Sequence, residues 1–445
     1  MPWQSPRKQL FTCAGLDFLA IWLAVGISNL LEHPDLLHPP AAVAVVGALY
    51  CTWSWLLGSY TVLRWPWLRL RLILQRLLLS ALACWASLVL GCWLAGVGHG
   101  QLSLLNRDVL LNVLAWQTLL ALGIRLQLRV LIRATPKARW QLLTTPNHEQ
   151  NIIREWQKNP FIRRPQLITP ERFQQPAESD GKPIKMTALA VASEVKLNLS
   201  QRNLIKQLQT RGVLITTLEE LAQRQLERLP PSLLPMDWLS FHELPWADEF
   251  NLQRKLKRLA DVAIASLLLA LCLPLLLLIG AAIWLEDRGP VLYLQTRTGW
   301  MGQSFLLIKL RTMRVVAPGA PTPWTRSNDS RITRVGTILR RTRIDELPQL
   351  LNVIRGEMSL IGPRPEQPHL DDELAASIPH YNKRYWMLPG LSGWAQVCGP
   401  AYPSSLEEAE LKLSYDLFYL RNWSLGLDLL ILAKTIKTLL KIRGV

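Results

Sequence analysis

Residues 259–285, LADVAIASLLLALCLPLLLLIGAAIWL, form one long apolar run. As a straight α-helix this run would measure about 40 Å, which is enough to cross the ~30 Å hydrocarbon core of a bilayer. Pro274 lies at its middle, where it removes a backbone donor and favours a bend. The run therefore predicts a membrane helix that is bent at its centre.

Basic residues flank this run on both sides. They are Arg254, Lys255, Lys257 and Arg258 before it, and Arg288, Arg297, Lys309, Arg311 and Arg314 after it. Because Lys and Arg are retained on the cytoplasmic side of a membrane, both ends of the run are expected there. We interpret 259–285 as a re-entrant helix that breaks at Pro274 and returns from the inner leaflet, with Asp261 near the interface. A Pro-kinked helix that spans the membrane is the alternative.

The overall composition also indicates a membrane protein. Of 445 residues, 49% are hydrophobic, and the formal net charge is +17. The Lys and Arg residues lie mostly between or after apolar runs, so the excess charge reflects membrane topology. Nucleic-acid binding would need a basic surface with a reading motif, and no homeodomain-like, zinc-finger or RNP pattern is present in the sequence. We therefore expect no nucleic-acid partner.

Four earlier apolar runs, at about 10–32, 41–62, 73–98 and 108–132, each approach the ~20 residues that a spanning helix needs. Residues 1–135 are therefore predicted to form a four-helix transmembrane bundle. Its basic flanks favour cytoplasmic placement of both ends, and they include Arg7, Lys8, Arg64, Arg69, Arg71, Arg76, Arg125, Arg129, Arg133, Lys137 and Arg139. Candidate interfacial anchors are Trp53, Trp55, Trp65 and Trp67.

Residues 136–245 change to an alternation of short apolar strands and polar helices. This pattern predicts a small, Rossmann-like α/β cytoplasmic domain with a largely parallel sheet, followed by a linker that ends at about residue 245. A dinucleotide site would need GxGxxG after the first strand, but the sequence there is TTPNHEQ. A spacer or assembly role is the better interpretation.

Asp345 and Glu346 are adjacent in RRTRIDELPQLLNVIRGEMSLIGPRP, residues 340–365. Neighbouring carboxylates repel each other unless cations or a metal offset them, and arginines are abundant in this segment. Acids and excess base together suggest phosphate chemistry, because a carboxylate can attack phosphorus or bind Mg²⁺ while guanidinium groups neutralise phosphate oxygens. Asp345 is expected at a helix N-cap, with Pro348 in the first turn. The alternative is that it only caps the helix.

Several blocks of the C-terminal half resemble the bacterial sugar transferases, the monotopic polyprenyl-phosphate phosphoglycosyl transferases. In order, they are KRLADV, GPVLYLQTRTGWMG, FLLIKLRTM, the segment from NDSRITRVG to IGPRP, PGLSGWAQV and YDLFYLRNWSLGLDLLILAKT. Each block is weak alone, but their collinear order over residues 254–445 is specific. The four helices and small domain in front resemble the long form that primes exopolysaccharide or O-antigen synthesis.

The resemblance implies transfer of a sugar phosphate from a UDP-sugar to polyprenyl phosphate, with release of UMP, at the bacterial inner membrane. It assigns the nucleophile to Asp345, through a phosphosugar-aspartyl intermediate, and Mg²⁺ binding to Glu346. The candidate phosphate or uridine contacts are Arg297, Lys309, Arg311, Arg340 and Arg364. Two amphipathic segments, ITRVGTILRR and LGLDLLILAKTIKTLLKI, are predicted to lie in the membrane interface.

The predicted fold is thus a mainly α membrane protein whose residues 246–445 form an α+β catalytic domain with a re-entrant helix and interfacial helices. One departure from the family pattern is Leu388, where a basic residue is usual. Competing functions are a non-catalytic membrane scaffold and a UDP-sugar hydrolase. The sequence leaves the sugar and the oligomeric state open, and a homodimer is one arrangement compatible with it.

Overall fold

The computed structural model describes most of the chain, in two compact units that divide between residues 137 and 138. The described ranges are 5–31, 39–60, 70–94, 107–134, 140–159, 162–173, 188–244, 246–247, 251–314, 331–400 and 403–440. Several residues used to predict topology fall outside these ranges, namely Arg64, Arg69, Trp65, Trp67, Lys137 and Arg139.

The first unit is a bundle of four helices: α1 (Ser5–Leu31), α2 (Pro40–Leu56), α3 (Leu70–Leu94) and α4 (Arg107–Ala134). Their facing apolar residues form one buried core. By length and composition, the candidate membrane spans in this unit are Leu10–Leu31, Leu70–Trp93 and Asp108–Leu131, while α2 is a shorter apolar helix. The chain is a membrane protein.

An ion pair lies inside this bundle. Asp17 of α1 and Arg125 of α4 are both fully buried, and two hydrogen bonds of 2.8 and 2.7 Å join the guanidinium to the carboxylate. Gln117 donates to the Asp17 carbonyl at 2.9 Å, and the Arg125 guanidinium lies 5.1 Å from the Tyr60 ring centroid. The interpretation of Arg125 as a flanking charge at the helix end was wrong, because a buried arginine needs a counter-ion and Asp17 supplies one.

The second unit begins with a small parallel sheet of order β2-β1-β3-β4. Its elements are β1 (Trp140–Leu143), α5 (Pro146–Gln157), β2 (Gln166–Ile168), β3 (Ala188–Val191), α6 (Leu199–Thr210), β4 (Leu214–Thr217) and α7 (Leu218–Leu226). Apolar residues of strands and helices alternate to fill one core. Asn198 caps α6 through a capping box with Gln201, which explains why that helix begins there.

A long helix, α8 (Leu252–Asp287), then runs for 36 residues. The helix is continuous through Pro274, so the two separate helices that we predicted are not seen. Proline removes one backbone donor, but the hydrogen bonds on either side of it maintain the helix. Along the middle of α8, leucines are exposed, and Leu271 is 74% exposed. By length and composition this helix too could cross a membrane.

Both ends of α8 pack on the domain that follows. Near the start, Asp261 accepts hydrogen bonds from the Ser359 hydroxyl and the Leu360 amide at 2.7 and 3.1 Å. Near the end, Glu286 accepts a 2.8 Å hydrogen bond from the Arg334 amide. Ile283 belongs to a buried cluster with residues of the same domain.

The remaining elements form a compact α+β arrangement around two small sheets. They are β5 (Leu292–Thr298), β6 (Ser304–Leu310), α9 (Arg334–Thr342), α10 (Leu350–Arg355), β7 (Ser359–Ile361), α11 (Pro368–Ser377), β8 (Gly390–Ser392), α12 (Trp394–Cys398), α13 (Leu406–Asn422) and α14 (Leu425–Leu440). The strands β5 and β6 form an antiparallel hairpin, and β7 pairs with β8 in parallel.

The helices predicted to be interfacial, α9 and α14, each divide their apolar residues between core and surface. In α9, Leu339 is buried and Ile338 is 64% exposed. In α14, Leu427 and Ile431 are buried, whereas Leu429 is exposed. An apolar surface therefore remains on both helices beyond what the core requires.

The small α/β domain and the α+β domain pack against each other within the second unit. The Leu229 amide donates to the Ser414 carbonyl at 2.8 Å, and the Trp394 indole donates to the Glu227 carbonyl at 3.2 Å. Further along the linker, Lys383 donates to the carbonyl of Trp238.

Candidate active site

The two adjacent acids lie in a short 3₁₀ helix, Ile344–Gln349, between α9 and α10. Arg343 ends α9 in the left-handed conformation, with φ of 58°, and this reverses the chain before the acids. Asp345 and Glu346 occupy the first turn of the 3₁₀ helix. The prediction that Asp345 is a helix N-cap was wrong, because Arg343 holds that position.

Glu346 is fixed by two cations from different elements. Arg364 donates to its carboxylate at 2.6 and 3.4 Å, and the Lys309 ammonium on β6 lies 3.7 Å from Oε1. Burial by itself would raise the pKa of Glu346, but Arg364 and Lys309 lower it to about 2. Glu346 is therefore ionised throughout the neutral range.

Asp345 lies in a different environment from its neighbour. Among the described residues, no cation forms an ion pair with its carboxylate. Burial raises the pKa of Asp345 and the adjacent Glu346 raises it further, while Lys309 and Arg340 oppose these effects. One carboxylate is thus held in place by ion pairs, and the other is left available beside positive charge.

Lys309 has an unusual environment for a lysine. Burial and the nearby Arg364 lower its pKa to about 8, against the opposing effect of Glu346. A bound phosphate group would add negative charge beside this ammonium and favour its protonated form.

The five predicted basic residues lie in three different environments. Lys309, Arg340 and Arg364 surround the acid pair, and Arg340 is oriented by a 3.0 Å hydrogen bond from Nε to the Thr312 hydroxyl. Arg311 instead donates to Asp287 at the end of α8, so its described ion pair anchors that helix.

Arg297 lies beside the loop that carries Arg364. It donates to the Pro365 carbonyl at 3.3 Å and forms an ion pair with Glu366 at 3.7 Å. Burial lowers the pKa of Arg297, and the proximity of Arg364 lowers it further, although Glu366 opposes both. Two neighbouring guanidinium groups, one from β5 and one from the loop after β7, suit the diphosphate of a nucleotide.

The loop that carries Arg364 is held by buried side chains that the sequence did not single out. Arg384 donates to the Arg364 carbonyl at 2.8 Å and pairs with Asp416 at 2.9 Å. Lys412 donates to Glu366 in the same region. Only the density of charged residues in YNKRYW and LKLSYDLF could have signalled this network, because its members are distant in sequence.

Glycines bring this loop against the loop that contains PGLSGW. A Cβ added at Gly390 would lie 2.0 Å from the Gly362 nitrogen, and one at Gly362 would lie 2.3 Å from the Leu388 carbonyl oxygen. These are backbone-to-backbone contacts, which only glycine permits. Leu388 makes this close contact through its backbone carbonyl oxygen. The contact therefore does not depend on the Leu388 side chain, which departs from the family pattern.

The residues present suit Mg²⁺ in one limited way. Among the described residues, no three potential ligands of the His, Cys, Asp and Glu types converge on a point that could hold a metal. Mg²⁺ commonly binds through one or two carboxylates together with substrate phosphates. The acid pair fits that mode, with Glu346 Oε2, whose hydrogen bond of 3.4 Å is the longer one, as the more available oxygen.

Comparison with known proteins finds relatives for the part of the chain that contains these residues. The model of the bacterial sugar transferase family matches residues 252–442. The chain is 48% identical over 185 residues to a UDP-glucose:undecaprenyl-phosphate glucose-1-phosphate transferase of Caulobacter vibrioides, covering 41% of this chain and 69% of that protein. It is 41% identical over 207 residues to an exopolysaccharide production protein of Rhizobium meliloti, covering 42% of this chain and 87% of that protein.

A third relative, from Aeromonas hydrophila, is a UDP-N-acetylgalactosamine-undecaprenyl-phosphate N-acetylgalactosaminephosphotransferase. The identity is 42% over 185 residues, and the match covers 42% of this chain and 44% of that protein. The family match contains the acid pair and all five predicted basic residues, while residues 1–251 lie outside it. The chain is a transferase enzyme and belongs to the bacterial sugar transferase family.

Proposed function

We propose that the chain transfers a sugar 1-phosphate from a UDP-sugar to polyprenyl phosphate and releases UMP. The observation that carries this proposal is the difference between the environments of the two acids. Glu346 is fixed by Arg364 and Lys309, while Asp345 has no described ion-pair partner and lies beside the same cations. The names of the relatives from Caulobacter vibrioides and Aeromonas hydrophila support the same reaction.

In the proposed mechanism, an Asp345 carboxylate oxygen bonds to the phosphorus that bears the sugar. The bond from that phosphorus to the bridging oxygen breaks, and its electron pair leaves on UMP. An oxygen of polyprenyl phosphate then bonds to the same phosphorus, and the bond to Asp345 breaks to regenerate the carboxylate. Lys309, Arg340 and Arg364 offset the charge on the phosphate oxygens during both steps.

We propose Mg²⁺ as the cofactor, held by Glu346 together with the substrate phosphates. When bound, the ion would neutralise phosphate charge. Glu346→Gln should raise the Mg²⁺ concentration needed for half-maximal activity about tenfold or more, because a hard cation prefers a charged carboxylate. A Mg²⁺ titration of UMP release checks this, with Glu373→Gln on α11 as the matched control. An unchanged titration would leave Glu346 with a structural role only.

The contacts of α8 support a helix that enters the membrane and returns. Ala265 shares a buried cluster with Leu307, and Ile283 shares one with Leu310. In a straight helix, Ala265 and Ile283 would be about 27 Å apart. Their partners Leu307 and Leu310 are three residues apart on β6, a distance of only about 10 Å, which supports a bent helix. The catalytic domain would then lie on the cytoplasmic face of the inner membrane, where soluble UDP-sugar meets the lipid phosphate. The homodimer stays a prediction.

Replacing Asp345 tests the function directly. Asp345→Asn should abolish UMP release by at least ~10³-fold while leaving membrane insertion intact, because the amide is isosteric but is not an anionic nucleophile. Mass spectrometry of the unmodified protein incubated with a UDP-sugar should show a phosphosugar adduct on Asp345.

The acceptor dependence separates the competing functions. Sustained UMP release only with polyprenyl phosphate supports the transferase, sustained release without it indicates a hydrolase, and no release with any UDP-sugar indicates a scaffold. An adduct that persists in the Asn variant would place the nucleophile elsewhere. First-step priming of exopolysaccharide or O-antigen synthesis is the pathway position that we propose.

A further inference from the structure

A polar cavity lies next to the proposed phosphate site. Its volume is about 360 Å³, and it opens between the β5–β6 turn, the start of α11 and the 3₁₀ helix Tyr381–Trp386. The residues that line it are Thr298, Met301, Gly302, Ser304, Pro368, Asp371, Asp372, Asn382, Tyr385 and Trp386. None of the residues given a role in the mechanism belongs to this lining.

The cavity begins one residue after Arg297, which lies beside the loop that carries Arg364. Thr298 follows Arg297 directly, and its amide donates to the Glu366 carbonyl at 3.0 Å, two residues beyond Arg364. A group attached to a phosphate held by Arg297 and Arg364 could therefore extend into the cavity.

The cavity wall contains hydrogen-bonding capacity that the protein does not use. Asp371, Thr298 and Tyr385 are 5, 7 and 7% exposed, so each is more than nine-tenths buried. Asp371 Oδ1 accepts a 2.9 Å hydrogen bond from Tyr381, and the Tyr385 hydroxyl lies beside the same carboxylate, whereas Thr298 Oγ1 makes no hydrogen bond to the described residues. Buried polar atoms are normally paired, so the unpaired Thr298 hydroxyl leaves one hydrogen bond at the cavity wall for a ligand.

The chemistry of the lining limits what that ligand can be. The two carboxylates of Asp371 and Asp372 would repel phosphate, and the described residues that line the cavity include no Lys or Arg to offset them. Carboxylate and amide oxygens make the wall rich in acceptors, which suits a ligand rich in hydroxyl donors. A hexose offers three or four hydroxyls, whereas uracil offers two carbonyl acceptors and one N–H donor. Tyr385 and Trp386 add apolar surface for the face of a sugar ring.

We propose that this cavity binds the sugar ring of the nucleotide-sugar donor and determines which sugar is transferred. Asp372 and Asn382, both exposed in the cavity, contact its hydroxyls, and Tyr385 donates to or accepts from one of them. This inference rests on the proposed function, because it takes the phosphates to lie at Arg297 and Arg364.

Two variants with intact folding test the proposal. Asp372→Asn changes an exposed side chain, and Tyr385→Phe removes one hydroxyl of the cavity wall. Each should raise KM for the preferred donor, by about threefold to tenfold for Tyr385→Phe and by about tenfold or more for Asp372→Asn. Inhibition by UMP, which lacks the sugar, should stay within twofold of the unmodified protein. Glu373→Gln, the next residue of α11 and outside the cavity, is the matched control.

The assay uses UDP-glucose, UDP-galactose, UDP-N-acetylglucosamine and UDP-N-acetylgalactosamine in turn. A change in the ranking of these four donors, with unchanged UMP inhibition, supports a sugar site. An equal loss of UMP inhibition would assign the cavity to the nucleoside and overturn the proposal, and so would unchanged kinetics in both variants. If the unmodified protein released no UMP from any of the four donors, the proposed function would fail, and with it the basis of this inference.

Discussion

At the scale of single residues, the site depends on the unequal treatment of two neighbouring acids. Glu346 is ionised because two cations contact it, whereas Asp345 experiences burial and the repulsion of its neighbour. The same arrangement costs Lys309 part of its affinity for a proton, since it is buried near Arg364. The charge of Lys309 should therefore be the pH-sensitive part of the site.

Activity should fall on the alkaline side because Lys309 loses its proton as pH rises through about 8. Above that pH, kcat/KM for UMP release should decrease about tenfold per pH unit. Lys309→Arg should move this decline upward by more than one pH unit, because a guanidinium stays protonated. A pH series from about 6 to 10 checks this, with the exposed Lys206→Arg as control. An identical decline in all three proteins would show that another group titrates.

At the scale of elements, the loops that carry Arg364 and PGLSGW are joined by their backbones. The Gly390 amide donates to the Pro363 carbonyl at 2.8 Å, and the Gly362 amide donates to the Ser392 carbonyl at 2.8 Å. The position of Arg364 therefore depends on strand pairing between β7 and β8. Side chains of Arg384 and Arg297 bind carbonyls of the same loop from two other elements.

Gly390→Ala should separate these loops, because the added methyl would lie 2.0 Å from the Gly362 nitrogen. We expect a loss of stability of about 1–3 kcal/mol, together with a fall in kcat/KM as Arg364 moves from Glu346. Thermal unfolding in detergent and UMP release measure the two effects. Gly123→Ala in α4, where an added methyl meets no described atom within 4 Å, should leave both unchanged. Equal behaviour of the two variants would contradict this account of the loop contact.

At the scale of the whole molecule, the proposed position of the active site relative to the membrane depends on α8. Its exposed leucines require a lipid environment, and its two ends are bound to the same catalytic domain. In the first unit, the buried Asp17–Arg125 pair joins α1 to α4. Breaking this pair would be costly because it would leave an uncompensated buried charge.

Cysteine labels should show both ends of α8 on the cytoplasmic face. Gln253→Cys and Pro290→Cys, in a background without the six native cysteines, should react with a membrane-impermeant reagent only when the cytoplasmic face is accessible. The reason is that basic flanks oppose translocation of either end. Pro274→Leu should straighten the helix and lower activity by moving Asp345 from its substrate. Labelling of the two positions from opposite faces would show a spanning helix instead.

The sequence alone determined the features that depend on local pattern. Runs of about 20 apolar residues predicted the membrane helices, the strand–helix alternation predicted a parallel sheet, and a four-stranded parallel sheet is present. The acid pair and its excess of arginines also indicated the candidate site, because charge composition is visible without a fold, and its catalytic role stays a prediction. The continuous course of α8 through Pro274 was not predicted. The helix continues because packing at both of its ends compensates for one lost hydrogen bond.

Only the tertiary structure decided which charges meet. Lys309 and Arg311 are two residues apart, yet one contacts Glu346 and the other Asp287. Asp17 and Arg125 are separated by 108 residues, and the two contacts behind Arg364 join residues that are 20 and 46 positions apart. Periodicity indicates which face of an element a side chain occupies, but the partner on that face is determined by how elements pack. Ion pairs, cavities and the assignment of chemical roles therefore follow from packing.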